Sequence, residues 1–182
     1  MDWGLEIKED RDNFDYLYLR RDLAEMTGKK YHKKRNLIAQ FNRSFVGTEK
    51  PLTVEVVKDA MHVLETWRAE RDEPGDFYPA MESLELITEL NLAGSIYYAD
   101  GNPAAWCLGE PVAQGRSFAV HFGKALDTYK GVHQYMTQCF ASSLGDHFTY
   151  INFEEDLGDE GLRHSKMSYR PAGFVKKYIG SI

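Results

Sequence analysis

Residues 152–169 read NFEEDLGDEGLRHSKMSY, placing five carboxylates, Glu154, Glu155, Asp156, Asp159 and Glu160, just ahead of Arg163 and Lys166. Carboxylates between a strand end and a helix start can hold an amino group or take its proton. Glu155 and Asp156 are the candidates for that work, with a purely structural role as the competing reading. Asp159 and Glu160 have a simpler use as cap and dipole partners of the following helix. Arg163 and Lys166, about one turn apart, can meet either the acidic loop or an anionic substrate.

A second candidate is His121 in SFAVHFGKA, where Phe118, Val120 and Phe122 alternate against Ala119 and His121, with Lys124 further along. An imidazole with an ordinary pKa of about 6.5 can accept a proton from an attacking amine or hydroxyl at neutral pH. A hydrogen-bonded structural histidine is the alternative. His133, at the start of a helical pattern, can reach a ligand phosphate or stay in solvent. None of the six histidines shows a metal-binding spacing such as H-x-H or H-E-x-x-H, which argues against a metal site.

The third candidate is GKKYHKKRNLIAQFNR, which puts five Lys/Arg and one His into the seven positions from Lys29 to Arg35 of a chain with net charge -6. At about 100° per residue, Tyr31, Leu37, Ile38, Phe41 and Phe45 gather on one side of a helix. Lys29, His32, Lys33, Asn36, Gln40 and Arg43 gather on the other. Lys29, Lys33 and Arg43 are candidates for contacts to a nucleic-acid or lipid phosphate, whose binding falls steeply with salt. A solvated face, or a surface that covers a partner domain, is the other reading. Lys34 falls on the apolar side, where its stem can snorkel out.

These residues need a scaffold, and a chain of 182 residues with 43% apolar content can build one core. The longest apolar run is far short of the roughly 18 to 20 residues that cross a membrane, and the start MDWGLEIKEDRDN is too polar for a signal peptide. The expected location is the cytoplasm, with no integral membrane segment. Cys107 and Cys139 lie in apolar runs and read as reduced core thiols.

Along the chain, NFDYLYL reads as a strand and RRDLAEM as a short helix, with the basic helix following. These make up residues 13–45. Residues 53–92 hold two helices, the first capped by Thr53 and the second running from about Tyr78 to Leu92, with DEPGD between them. Residues 95–182 carry the sheet: a hairpin turned at Asp100-Gly101, the His121 strand, a helix over about 130–145, the strand FTYINF, the helix LRHSKM and a last strand AGFVKKYI. The whole, 1–182, reads as one α/β (α+β) domain with a mixed, mostly antiparallel sheet flanked by helices.

The element order, with DYLYLRRDLAEMTGKKYHKKRNLIAQFNR and YINFEEDLGDEGLRHSKMSYRP, resembles a bacterial family related to the C-terminal domain of phosphatidylglycerol lysyltransferases, from about Asn13 to Tyr178. The resemblance implies a GNAT-like acyl-CoA N-acyltransferase fold, present as the second copy of a usually tandem pair. It implies transfer of an acyl or aminoacyl group, with tRNA as a candidate partner and a small molecule or lipid headgroup as acceptor. A second copy of this chain, or a partner domain, would stand in for the missing tandem half. Under the same resemblance Asn152 is a polar group near the donor and Tyr169 a general acid. A non-catalytic binding or regulatory module is the alternative.

Acyl-CoA is the one cofactor the resemblance brings in. The CoA signature of the GNAT fold, Arg/Gln-x-x-Gly-x-Gly/Ala, holds a pyrophosphate on backbone N–H groups at a helix N-terminus. Here the equivalent place reads Thr128-Tyr-Lys130-Gly131-Val-His133, where only Gly131 matches and Lys130 offers a charge for phosphate.

Overall fold

The computed structural model describes residues 6–181. Its strands are β1 (Glu6–Glu9), β2 (Asp15–Leu19), β3 (Gly47–Pro51), β4 (Ala93–Ala99), β5 (Asn102–Val112), β6 (Ser117–Ala125), β7 (Tyr150–Asn152), β8 (Gly173–Val175) and β9 (Tyr178–Ser181). Its helices are α1 (Arg20–Glu25), α2 (His32–Ser44), α3 (Val57–Ala69), α4 (Phe77–Glu85), α5 (Val132–Ser143) and α6 (Glu160–Met167). Seven strands form the main sheet in the order β3-β4-β5-β6-β7-β2-β8, while β1 and β9 pair in a separate ribbon. Every pairing is antiparallel except β6 with β7. This is a mixed α+β fold with a mostly antiparallel sheet flanked by helices.

The sheet carries apolar residues on both faces because helices cover both. On one face Phe118, Val120, Tyr97 and Tyr16 pack with Phe140 of α5 and Phe41 of α2. On the other, Trp106, Leu108 and Ile96 pack with Leu64 of α3 and Leu84 of α4. Burying a Leu or Phe stabilises by about 1.5–3 kcal/mol, so the two clusters fix where each helix sits. Burial also pushes the Cys107 thiol up to about 12 and the Cys139 thiol up to about 11.

Several boundaries differ from the sequence expectation. The helix expected to be capped by Thr53 starts at Val57, because Thr53 closes a turn through its carbonyl to the N–H of Val56. Regular helix in α4 ends at Glu85, and residues 86–91 continue as turns closed by Asn91 at φ 51° and by the Leu92 N–H on the Ile87 carbonyl. AGFVKKYI splits into β8 and β9, and the polar strands β1 and β3 lack the alternation that would have marked them.

Two local events open the sheet. β6 pairs with β5 as far as Ala125, yet it pairs with β7 only at Ser117, Phe118 and Ala119. The side chain of Asn152 accepts the Glu154 N–H at 2.8 Å, and Glu154 takes φ 53°, so the chain turns away from β6 at that point. It then follows β2, with Tyr16 N–H on the Glu154 carbonyl and Phe153 N–H on the Tyr16 carbonyl. From Val120 onward, β6 has a neighbour on one side only.

The second event is a β-bulge. Gly109 pairs with Val120 and Leu108 with Phe122, so His121 is the extra residue. Gly109 permits the close approach, because a Cβ there would collide with the Ala119 carbonyl. The expected alternation of Phe118, Val120 and Phe122 therefore breaks, and Phe122 packs on the α3–α4 face while Phe118 and Val120 pack on the other.

Candidate active-site cleft

The parted strands form one wall of a cleft of about 1160 Å³. β6 supplies Val120 to Lys124, the loop after β7 supplies Phe153, Glu154 and Glu155, and α5 and α6 supply His133, Met136 and Lys166. An aromatic and aliphatic lining with a few convergent polar groups is the usual make-up of a ligand site.

At the bulge, His121 lies between two carboxylates. Its Nδ1 is 2.6 Å from Glu154 Oε1 and its Nε2 is 3.3 Å from Glu110 Oε1. The hydrogen bond to Glu154 raises the imidazole pKa, burial opposes this, and Glu110 adds to the rise. Contacts to a carboxylate on each ring nitrogen favour the protonated form of the ring. The bulge turns His121 toward this pair, so the cluster exists only because the β6 ladder is irregular there.

Of the other expected residues, Glu155, Lys166, Tyr169 and His133 line the cleft. Lys166 is tethered: its Nζ donates to the carbonyls of Phe153, Glu154 and Glu155 at 2.6, 3.3 and 2.5 Å. Burial lowers its pKa. Three carbonyls on one ammonium fix the loop that carries Glu154. Glu155 lies 3.3 Å from Lys177 Nζ, which also pairs with Asp15 at 2.6 Å. Tyr169 has its pKa raised by burial, and Lys34 Nζ sits 3.7 Å from its ring centroid. That contact lets Lys34 stay on the apolar side of α2, where burial lowers its pKa to about 8.

Asp156, expected as a base candidate, lies outside the cleft wall and its side chain is 0% exposed. Arg163 donates to it from Nε at 2.9 Å and from Nη2 at 2.6 Å, Tyr16 Oη donates at 2.5 Å and the Gly158 N–H at 3.0 Å. The Arg163 bonds, then those from Tyr16 and Gly158, hold its carboxyl well below the usual carboxylate range. Asp156 and Arg163 are thus an anchor for α6, completed by Arg163 on Asp12 at 2.7 Å. Asn152 is equally occupied, donating to Asp15 and accepting from Glu154.

Gly131 is the N-cap of α5 with φ 93°, and a Cβ there would strike the Leu37 carbonyl of α2. Its lack of a side chain serves helix packing rather than an open phosphate cradle. Lys130 is exposed and outside the cleft wall, as are Lys29, Lys33 and Arg43. Sequence reasoning did not place Lys124, which lines the cleft, or Glu110, which reaches His121 from β5. A carboxylate inside the apolar strand LGEPV was the available signal for Glu110.

Residues 2–180 match the family model described as phosphatidylglycerol lysyltransferase, C-terminal. The chain belongs to this family. A solved structure from Bacteroides thetaiotaomicron VPI-5482 superposes with a TM-score of 0.88 at 32% identity, over 97% of this chain and 62% of that one. L-PGS from Bacillus licheniformis superposes with a TM-score of 0.66 at 15% identity, over 98% of this chain and 62% of that one. A protein of Mycoplasmoides gallisepticum is 24% identical over 95% of this chain and 57% of its own length. The chain thus spans about three fifths of the length of these relatives. Among the described residues, no helix is long and apolar enough to cross a membrane.

Proposed function

We propose that this chain is a GNAT-like transferase that moves an acyl or aminoacyl group from an activated donor, aminoacyl-tRNA or acyl-CoA, to an amine or hydroxyl. Kinship with the lysyltransferases extends the acceptor class to a lipid headgroup. The observation that carries the reading is the opening of β6 away from β7 with the Glu110–His121–Glu154 cluster set at the bulge. A donor carbonyl lying along the unpaired edge of β6 would meet backbone N–H groups able to stabilise a developing oxyanion. The acceptor nitrogen or oxygen bonds to the carbonyl carbon and gives its proton to Glu154. Collapse of the tetrahedral intermediate then breaks the ester or thioester bond, and the proton passes to the leaving oxygen or sulfur. His121, hydrogen-bonded to Glu154, orients that carboxylate and serves as the relay.

The packing of Gly131 on α2 favours a donor other than acyl-CoA. It also supports a second reading, a binding or regulatory module without transfer. Melting with and without acetyl-CoA tests the donor, since a ligand at 100 times its Kd adds about 2.7 kcal/mol of stability. Incubation with radiolabelled aminoacyl-tRNA, in the presence of phosphatidylglycerol vesicles or of hydroxylamine, tests the transfer. Label moving to either acceptor in the wild type but not in Glu154→Gln is the expected result. No label moved from aminoacyl-tRNA, together with no melting shift on acetyl-CoA, would leave the module.

A further inference from the structure

At the end of the cleft away from Glu154 stands a lysine that the transfer chemistry does not use. Lys124 follows the bulge on β6, and its side chain is 4% exposed although it lines the cleft. Its Nζ is 4.4 Å from the Trp67 ring centroid and 2.6 Å from Asp76 Oδ2. A buried ammonium needs a partner, and here the partner is a surface residue, 47% exposed. Asp76 comes from the DEPGD turn between α3 and α4, directly after Gly75 at φ 51°.

Asp76 is also the N-cap residue of α4, yet its side chain makes no capping hydrogen bond. Asp is a preferred N-cap because its carboxylate accepts the free N–H groups of the first turn. In this molecule that carboxylate pairs with Lys124 instead, and the capping position goes unused. His133 of α5 also lines the cleft, 3.5 Å from Asp127, and Arg71 stacks on Trp67 at 4.2 Å. Lys124 and His133 thus line the cleft, each paired with a carboxylate, Asp76 and Asp127, and Arg71 stacks on the same Trp67 ring that Lys124 faces. Burial lowers the pKa of Lys124 and Asp76 opposes this, as expected for a buried ammonium held by a single carboxylate.

We propose that Lys124 anchors a phosphate-binding subsite in the cleft, and that Asp76 occupies it in the empty protein and returns to cap α4 when a ligand phosphate arrives. Trp67 and Phe122 form the apolar floor beside it. Which reactant carries the phosphate rests on the transferase reading, whereas the binding does not.

The test is titration of tryptophan emission with inorganic phosphate, and separately with acetate, at constant ionic strength. The proteins are the wild type, Asp76→Asn and Lys124→Met, with Trp67→Phe to assign the signal. If Asp76 blocks the site about nine tenths of the time, Asp76→Asn binds phosphate about tenfold more tightly, since apparent affinity scales with the competent fraction. Lys124→Met, which keeps the buried volume, loses the saturable response. Equal or weaker phosphate affinity in Asp76→Asn, saturable binding that survives in Lys124→Met, or acetate binding more tightly than phosphate would overturn the subsite. Should Lys124→Met fail to fold, the Asp76→Asn comparison decides alone. Phosphate binding with no transfer sinks the transferase reading and leaves the subsite; transfer without phosphate binding does the reverse.

Discussion

Glu154 and Asp156 are two residues apart in one acidic loop, and the fold gives them opposite environments. Asp156 is sealed under Arg163 and Tyr16 with its carboxylate fully engaged. Glu154 is left-handed at φ 53°, part exposed, and aimed across the gap at His121. A carboxylate bound by a guanidinium, a phenol and an N–H is a poor base, because each donor stabilises its charged form. One whose main partner is an imidazole can pass a proton on. The contrast separates what holds the loop from what the loop presents.

Breaking the anchor has the largest expected effect. Asp156→Asn leaves Arg163 without its buried partner and lowers stability by about 3 kcal/mol or more, read as a lower urea midpoint. The sign with pH follows from the depressed folded pKa: the contribution is present above the unfolded value of about 4 and is lost as pH falls below it. Asp156→Asn therefore flattens the acid limb of the stability profile, whereas Glu154→Gln leaves that limb in place. A wild-type-like midpoint in Asp156→Asn would remove the distinction between the two carboxylates.

Next in size is Glu154→Gln itself, expected to slow transfer about a hundredfold or more while the urea midpoint stays close to wild type. A fall in the midpoint as large as that of Asp156→Asn would make Glu154 a second anchor. His121 sharpens the same point by its sign. Its folded pKa is raised, so its contribution is complete below the unfolded value of about 6.5 and is lost as pH rises through the folded one. His121→Gln should remove that alkaline slope, an effect of about 1 kcal/mol or less for a partly exposed pair.

The smallest stability change, within about 0.5 kcal/mol, is expected for Lys29, Lys33 and Arg43 changed together to Gln. Such a triple variant should lose salt-sensitive retention on tRNA. Absence of retention in the wild type at low salt would make the stripe a solvated face.

Much of the architecture was legible because it rests on local periodicity: the α5 stripe, the Asp100-Gly101 hairpin and the two-sided α2 all appear where spacing put them. The Asp159 cap is another such case, since its side chain accepts the Leu162 N–H at 2.6 Å. The cleft was legible only in part. His121 and the acidic loop stood out by residue type, but a bulge is a property of two strands together, and nothing in SFAVHFGKA alone says that the pleat slips at His121. For the same reason Glu110 and Lys124 drew no site assignment: cross-strand register decides what they face. Asp156 misled because charge density marks a loop as reactive without revealing which member will be buried.

The ribbon of β1 and β9 puts Glu6 opposite Ser181, so strands from the two far parts of the sequence are ladder partners. Strands far apart in sequence that meet in this way suit grafting. The segment from β1 to β9 could be set into a surface loop of a host protein as a cassette, entering and leaving through neighbouring strands.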